Sequence, residues 1–330
     1  MTTRRQVLLT MGVGLIAAPL PAHSQAKPQK VFRVGNLSTG SRPSDGSVPA
    51  ALKDALRGLG YVEPQNIVYE SRFADGKPER LAELAAQLVR LRVDVIVTSG
   101  GPASLAAKRA TATIPIVMAP AAGDAVVAEL IASLARPGGN VTGMTDESAQ
   151  LSAKRMQLLR EVVPKATSIA IIWNENDQGM TVRSRAIHAA ARRLQVEVQA
   201  IGVREPGDLA AAFAALARRR PDAIFLVSDV FTRSNRQQVI DFAAAHRIPA
   251  MYETGLYVRD GGLMAYGPSP EDGFSEAAKY VDQILRGARP ADLPAQQPNR
   301  YYLTINRRTA EALGLTLPPA LLLLVDEVIE

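Results

Sequence analysis

Apolar residues are distributed along this chain in two ways. Short unbroken runs such as Val93-Asp94-Val95-Ile96-Val97-Thr98 end in small polar residues, whereas longer stretches repeat apolar positions every three or four residues. The first pattern predicts buried parallel strands and the second amphipathic helices. In the stretch 79–91, Leu81, Leu84, Ala85 and Leu88 fall at i, i+3, i+4 and i+7, a single stripe on one helix face. Leu209, Phe213 and Leu216 repeat that spacing later in the chain. From Val31 to Tyr252 the two patterns alternate, which predicts an α/β fold built on parallel sheets.

The alternation is used twice. After the strand at 93–98 come the Ser99-Gly100-Gly101-Pro102 turn and an Ala-rich helix through Ala110; Pro221 to Asp229 is a second apolar strand with Asp at its second position. Each copy runs through a helix to a strand led by Ile-Pro, at Ile114-Pro115 and at Ile248-Pro249. Val31–Leu37 corresponds to Ser168–Trp173, and Leu59-Gly60-Tyr61-Val62 to Leu194-Gln195-Val196. This predicts two similar three-layer lobes. Turn-rich breaks at Arg136–Gly143, Gly261–Pro270 and after Arg289-Pro290 mark places where the chain crosses between them. The first lobe is expected over 27–146 with 268–290 returning to it, and the second over 147–267 with 291–330. Several crossings form a multi-strand hinge. Leu321–Leu324 meets Asp326 and Glu327 at once, and reads as a packed C-terminal segment.

The start of the chain stands apart from this pattern. Arg4-Arg5 precede an apolar run, Val7 to Leu20, with small residues at Ala22, Ser24 and Ala26. This predicts an export signal over 1–26, cleaved to leave a mature start near Gln25 or Lys27. The run is too short, and too broken by Pro19 and Pro21, to span a bilayer. The arginine pair fits both general secretion and twin-arginine export of a folded chain. The chain has no cysteine, which excludes a disulfide framework and the acylated cysteine of a lipoprotein. A free, soluble, monomeric periplasmic protein is therefore expected.

Charge and composition exclude more than they identify. The formal charge of +6 falls by two with Arg4 and Arg5 and is a solubility matter first. The dense basic run Arg218-Arg219-Arg220 closes a helix, where cations suit the macrodipole, and no aromatics interleave it as nucleic-acid binding would require. Beyond the signal only His188 and His246 remain, neither beside another ligand type, so no metal is expected. Gly100-Gly101 lacks the Lys-Ser or Lys-Thr of a phosphate loop. Gly35 to Gly40 forms neither a dinucleotide fingerprint nor a nucleophile elbow. No cofactor and no enzyme activity are predicted.

Strand ends in such folds are where ligands bind. In the first lobe they carry Ser38 and Thr39, then Thr98, Ser99, Gly100 and Gly101, then Ala121 to Asp124. Hydroxyls and glycine N–H groups at helix starts suit an anion, and equally they are ordinary helix caps. The second lobe carries Asn174, Glu175 and Asp177, then Ser228 and Asp229, then Tyr252, Glu253 and Thr254. Carboxylates there suit an ammonium, and the tyrosine offers a face for stacking or a cation–π contact. An anion-friendly lobe facing an acidic one suits a zwitterion, with Asp229 as the main partner of its ammonium.

Six stretches carry a family resemblance: Leu56–Val62, Lys108–Thr111, Ile114–Val117, Ala135–Gly143, Gly261–Gly267 and Gly287–Pro294. Together they resemble the tryptophan/tyrosine-type substrate-binding proteins of ABC transporters, over nearly the whole mature chain. The resemblance implies a type I periplasmic-binding-protein fold and a receptor that closes on a small solute and delivers it to a permease driven by an ATPase. The chain departs from the family pattern at Gly100-Gly101 and at Asp124-Ala125, and Met118–Gly123 is unusually apolar, which leaves room for another aromatic or aliphatic solute. The same strand ends also fit two other roles. A sensory partner docking onto a receptor kinase would have the same ligand site. A hydrolase using Asp124, Asp229 or Glu253 as acid or base is opposed by the missing nucleophile, metal and cofactor motifs.

Overall fold

The computed structural model describes residues 30–42, 48–119, 126, 128–145 and 149–330. The expected export signal and Asp124 therefore lie outside the described residues. Strands β1 (Phe32–Ser38), β2 (Ile67–Phe73), β3 (Val95–Ser99), β4 (Ile116–Met118) and β5 (Val141–Gly143) form a five-stranded, all-parallel sheet in the order β2-β1-β3-β4-β5. The helices α1 (Ala50–Gly58), α2 (Leu81–Arg90) and α3 (Gly101–Ala110) connect the first four strands.

The chain then passes into α4 (Ser152–Val162), β6 (Ser168–Asn174), α5 (Gln178–Arg193), β7 (Glu197–Val203), α6 (Pro206–Arg218) and β8 (Ala223–Leu226). It continues through α7 (Val230–Ser234), α8 (Arg236–Ala245), β9 (Ala250–Tyr252), α9 (Gly255–Arg259) and β10 (Met264–Gly267). The long helix α10 (Pro270–Leu285) follows, then β11 (Tyr302–Asn306), α11 (Arg307–Ala312), α12 (Pro319–Leu322) and β12 (Glu327–Ile329). The second sheet has seven strands in the order β12-β11-β10-β9-β8-β6-β7, parallel except where β10 meets β11. Its β7-β6-β8-β9-β10 portion repeats the topology of the first sheet, as the duplicated sequence pattern implies.

The repetition extends to the ends of helices. Tyr61 N–H reaches back to Leu56 O across Gly60, and Val196 N–H to Ala191 O across Gln195, with both bridging residues at positive φ. This is the six-to-one closure of a helix C-terminus, made twice at equivalent places.

Each sheet is covered on both faces. Along β3, Val95 and Val97 pack with Leu52, Leu56, Ala277 and Val281 from α1 and α10, while Ile96 on the opposite face packs with Leu84, Leu88 and Ala103 from α2 and α3. Thus α10, which follows the last strand of the second parallel set, covers the first sheet. In the second lobe α4 and α5 cover one face and α6, α8 and α9 the other. The stripe Leu81, Leu84, Ala85 and Leu88 is buried as its spacing requires. Of the four leucines at 321–324, only the first packs fully: Leu321 is buried, whereas Leu323 is 88% exposed and Leu324 58% exposed. Among the described residues no helix is long and apolar enough to cross a membrane.

The crossings are bound to one another. Met144, just after β5, pairs in parallel with Gln296, and Thr145 N–H donates to Gln296 O at 2.9 Å. Gln296 N–H donates in turn to Gly143 O at 3.0 Å, and Thr142 Oγ1 to Leu293 O at 2.6 Å. Where these crossings leave their sheets, the neighbouring strand or its end lies so close that glycine is required. A Cβ on Gly143, whose φ is +119°, would lie 2.4 Å from Met118 O; on Gly267, at the end of β10, it would lie 1.9 Å from Glu253 O. Gly143→Ala should therefore cost about 1–3 kcal/mol, the usual penalty of forcing atoms into a packed site. Gly139→Ala, where no atom lies within 4 Å of the added carbon, should be close to neutral. Urea unfolding of both variants checks this, and an unchanged Gly143→Ala midpoint would contradict the close approach.

Candidate functional site

A concavity of about 520 Å³ lies at the junction of the lobes. The first lobe and its crossing supply Leu134, Met144 and Thr145, and the second lobe supplies Arg183, Ser228, Arg233, Glu253 and Thr254. The start of α10, from Ser269 to Glu276, and the crossing segment Gln296 to Arg300 complete the wall. The cavity thus lies at the ends of β5, β8, β9 and β10, against the chain crossings.

Glu253 is the centre of its polar wall. Its Oε1 accepts from Arg155 Nη1 at 2.8 Å, and its Oε2 accepts from Arg183 Nη1 at 2.8 Å and from Ser228 N–H at 2.9 Å. All three side chains are almost wholly buried. Both carboxylate oxygens are committed within the protein, so Glu253 borders the cavity as part of an ion-pair cluster and does not offer a carboxylate for an ammonium. Arg155 Nε also donates to Tyr266 O at 2.6 Å.

Asp229, expected as the main ammonium partner, has other work. Its Oδ1 accepts the Thr232 N–H at 2.7 Å while Thr232 Oγ1 accepts the Asp229 N–H at 2.9 Å, a reciprocal cap on α7. Its Oδ2 accepts from Asn174 Nδ2 at 2.6 Å. Both oxygens are engaged, and the residue borders a gap of about 20 Å³ shared with Thr39, Gly100, Asn174 and Asp177.

The remaining expected residues divide between that narrow gap and the interior. A Cβ on Gly100 would meet Thr39 Oγ1 at 2.7 Å and Val230 at 3.3 Å, so the first-lobe turn is pressed against the start of α7. Ser38 Oγ accepts Gly40 N–H at 3.1 Å, and Thr39 Oγ1 lies 3.5 Å from Ser99 O. Thr98 is fully buried with its hydroxyl 2.7 Å from Ser104 Oγ. Gly101 opens α3. Ser99 is buried with its hydroxyl unpartnered among the described residues. Tyr252 was expected as a stacking face for the solute. It is instead wholly buried and stacked on Tyr257 at 4.9 Å, so it is a core residue. Of the twelve residues expected in the site, Glu253 and Thr254 line the large cavity.

Sequence reasoning missed Arg155, Arg183 and Arg233 and the α10 and 296–300 walls. A signal was present for two of them. Arg155 occupies the apolar stripe continued by Leu158, Leu159 and Val162, and Arg183 that of Met180 and Ile187. A charged residue inside an apolar stripe needs a buried counter-charge.

A sequence model of the ABC transporter substrate binding protein family matches residues 41–329. A tyrosine-binding protein of Clostridioides difficile is 27% identical over 293 residues, spanning 88% of this chain and 83% of that protein. A Streptococcus pneumoniae ABC domain solved in complex with L-Trp superposes with a TM-score of 0.84 at 25% identity, covering 91% of this chain and 100% of that one. The ligand-free, open structure of a substrate binding protein from Clostridium difficile, 24% identical and covering 91% and 99%, gives 0.64. The architecture is that of type I periplasmic binding proteins.

One buried acid at the seam has a measurable consequence. Asp177 caps α5 by accepting from Gly179 N–H at 2.9 Å, and burial, then the charge of Asp229, push its carboxyl from the ordinary 3.8 up to about 6. The folded chain therefore holds this proton more tightly than the unfolded one. Its stabilising contribution is complete below about 3.8 and is lost as pH rises through about 6. Over that window the change amounts to roughly 3 kcal/mol, at about 1.4 kcal/mol per pKa unit. Asp177→Asn keeps an acceptor for the cap and should flatten this part of the stability profile relative to the parent, as measured by chemical unfolding at pH 4, 5, 6 and 7. Parallel profiles would contradict it.

Proposed function

The chain belongs to the family of ABC transporter substrate binding proteins, which bind solutes and are not enzymes, and we propose that it is the exported receptor of an ABC importer for an amino acid or closely related zwitterion. The single observation that carries the reading is the cavity of about 520 Å³ enclosed where the strand ends meet the crossings. That volume lies within the range of small-molecule sites, which are mostly apolar with a few placed polar groups. Leu134, Met144, Pro268, Pro270 and Pro298 give the apolar share; Arg233, Thr254, Asp272 and Glu276 give charges of both signs and a hydroxyl. A solute with an apolar body and both charges matches this lining.

The relatives support an aromatic member of that class, since one is named for tyrosine and another was solved with L-Trp. Export to the periplasm is supported by the signal-like start of the sequence, Arg4-Arg5 followed by the apolar run to Leu20. A permease and its ATPase are then the partners to which the closed receptor is presented. The hinge of hydrogen-bonded crossings supplies the motion, with the lobes closing as rigid bodies on the solute.

Calorimetric titration of the mature protein against L-tyrosine, L-tryptophan, L-phenylalanine and L-leucine tests the reading. One-to-one binding of at least one of them is expected, with no binding of galactose or adenosine. Binding of a sugar or nucleoside with none of the four amino acids would overturn the solute class while leaving the family assignment in place.

A further inference from the structure

Three arginines line the cavity, and two are already engaged. Arg183 Nη1 lies 2.8 Å from Glu253 Oε2 and 3.3 Å from Ser228 O, and the Arg300 guanidinium sits 4.5 Å above the Tyr302 ring. The third, Arg233, has no side-chain hydrogen bond or ion pair among the described residues. A half-buried guanidinium facing an enclosed space is costly to desolvate unless an anion meets it there, and its fork matches a carboxylate in two bonds. On the same wall Thr254 is only 8% exposed, and its hydroxyl has no partner among the described residues. Two donors of the second lobe, one charged and one neutral, thus border the cavity with no acceptor of their own.

We propose that Arg233 is the carboxylate-reading residue of the cavity, assisted by the Thr254 hydroxyl, so that the acid end of the solute lies against the second lobe and its ammonium against α10. This rests on the amino-acid reading above and assigns the orientation within it. The polarity is the reverse of that expected from sequence, in which the first-lobe hydroxyls held the carboxylate and Asp229 the ammonium.

The opposite wall suits the cationic end. Asp272 and Glu276 are one turn apart on the same side of α10. Asp272 Oδ2 accepts from Tyr302 at 2.7 Å and Glu276 Oε1 from Lys279 at 2.6 Å, which leaves the second oxygen of each without a partner among the described residues. The start of this helix does not compete for the anion, because Ser269 takes the Asp272 N–H with its hydroxyl and the Gly273 N–H with its carbonyl.

Asp229 then acquires a positioning role. Arg233 is the fourth residue of the five-residue α7, a helix too short to persist alone. The reciprocal cap between Asp229 and Thr232 fixes its first turn, and Ser234 Oγ donates to Val230 O at 2.9 Å near its end.

The test is calorimetric titration of the mature full-length chain and its Arg233→Gln, Arg233→Lys and Arg218→Gln variants with L-tyrosine, L-tryptophan and tyramine, the last lacking the carboxylate. Arg233→Gln should weaken L-tyrosine or L-tryptophan by about thirtyfold or more, the loss usual when one member of a desolvated charge pair is removed. Arg233→Lys should recover part of the loss, Arg218→Gln, at an exposed helix end outside the cavity, should stay near the parent, and the melting temperature of ligand-free Arg233→Gln should be unchanged. Tyramine should bind parent and Arg233→Gln alike. The assignment is overturned if Arg233→Gln binds the amino acid within about threefold of the parent, or if tyramine affinity falls as much as that of L-tyrosine. A parent that binds neither amino acid defeats the amino-acid reading itself, and this assignment with it, whereas a parent that binds and a variant that binds equally defeat only the assignment.

Discussion

The carboxylate of Glu253, gripped by Arg155 on one oxygen and by Arg183 and the Ser228 N–H on the other, is the contact on which the geometry of the junction depends. It joins α4, which begins just beyond the first crossing, to α5 and to the end of β9. Through Arg155 Nε and Tyr266 O it also reaches β10, which ends at the second crossing. Such clusters are poor sources of net stability, because desolvation offsets much of the Coulomb attraction. Removing one partner nevertheless costs about 3–5 kcal/mol, since a charge is left buried alone. What the cluster secures is position. The wall that holds Ser228 and Thr254 is fixed relative to the chain crossings.

Closure at the far edge of the junction is made by close packing. A Cβ on Gly40 would lie 2.6 Å from Val230, and Gly100 packs against the same side chain. The strand ends that carry Ser38, Thr39 and Gly100 therefore meet the second lobe directly, leaving the open volume nearer the crossings. Asp177 and Asp229 share a buried seam, each held by the helix start that it caps.

The fold was legible in the sequence because it rests on repetition. Two runs with Asp at the second position, two Ile-Pro strands and two matching helix ends mark one topology used twice, and burial of Leu81, Leu84, Ala85 and Leu88 follows from spacing alone. The site was less legible, for a physical reason. Polar residues at strand ends serve as caps, as core hydrogen-bonding groups or as ligand contacts, and sequence does not say which. Asp229, Thr98 and Ser38 went to the first two uses. Tyr252 was absorbed by the core because Tyr257, five residues on, stacks against it. Arg233, on a short helix, and the acidic start of α10 come together only through the crossings, a long-range consequence of topology that no local pattern encodes.

In the proposed receptor the solute is enclosed beside the crossings and is read by its two charges from opposite walls. A crystal structure of the mature protein with its bound amino acid tests this most directly. The account predicts ligand density between Leu134, Met144 and Thr254, with the carboxylate on Arg233 and the lobes arranged as described. Density beside Asn174 and Asp229 instead, with Val230 withdrawn from Gly40 and Gly100, would contradict it.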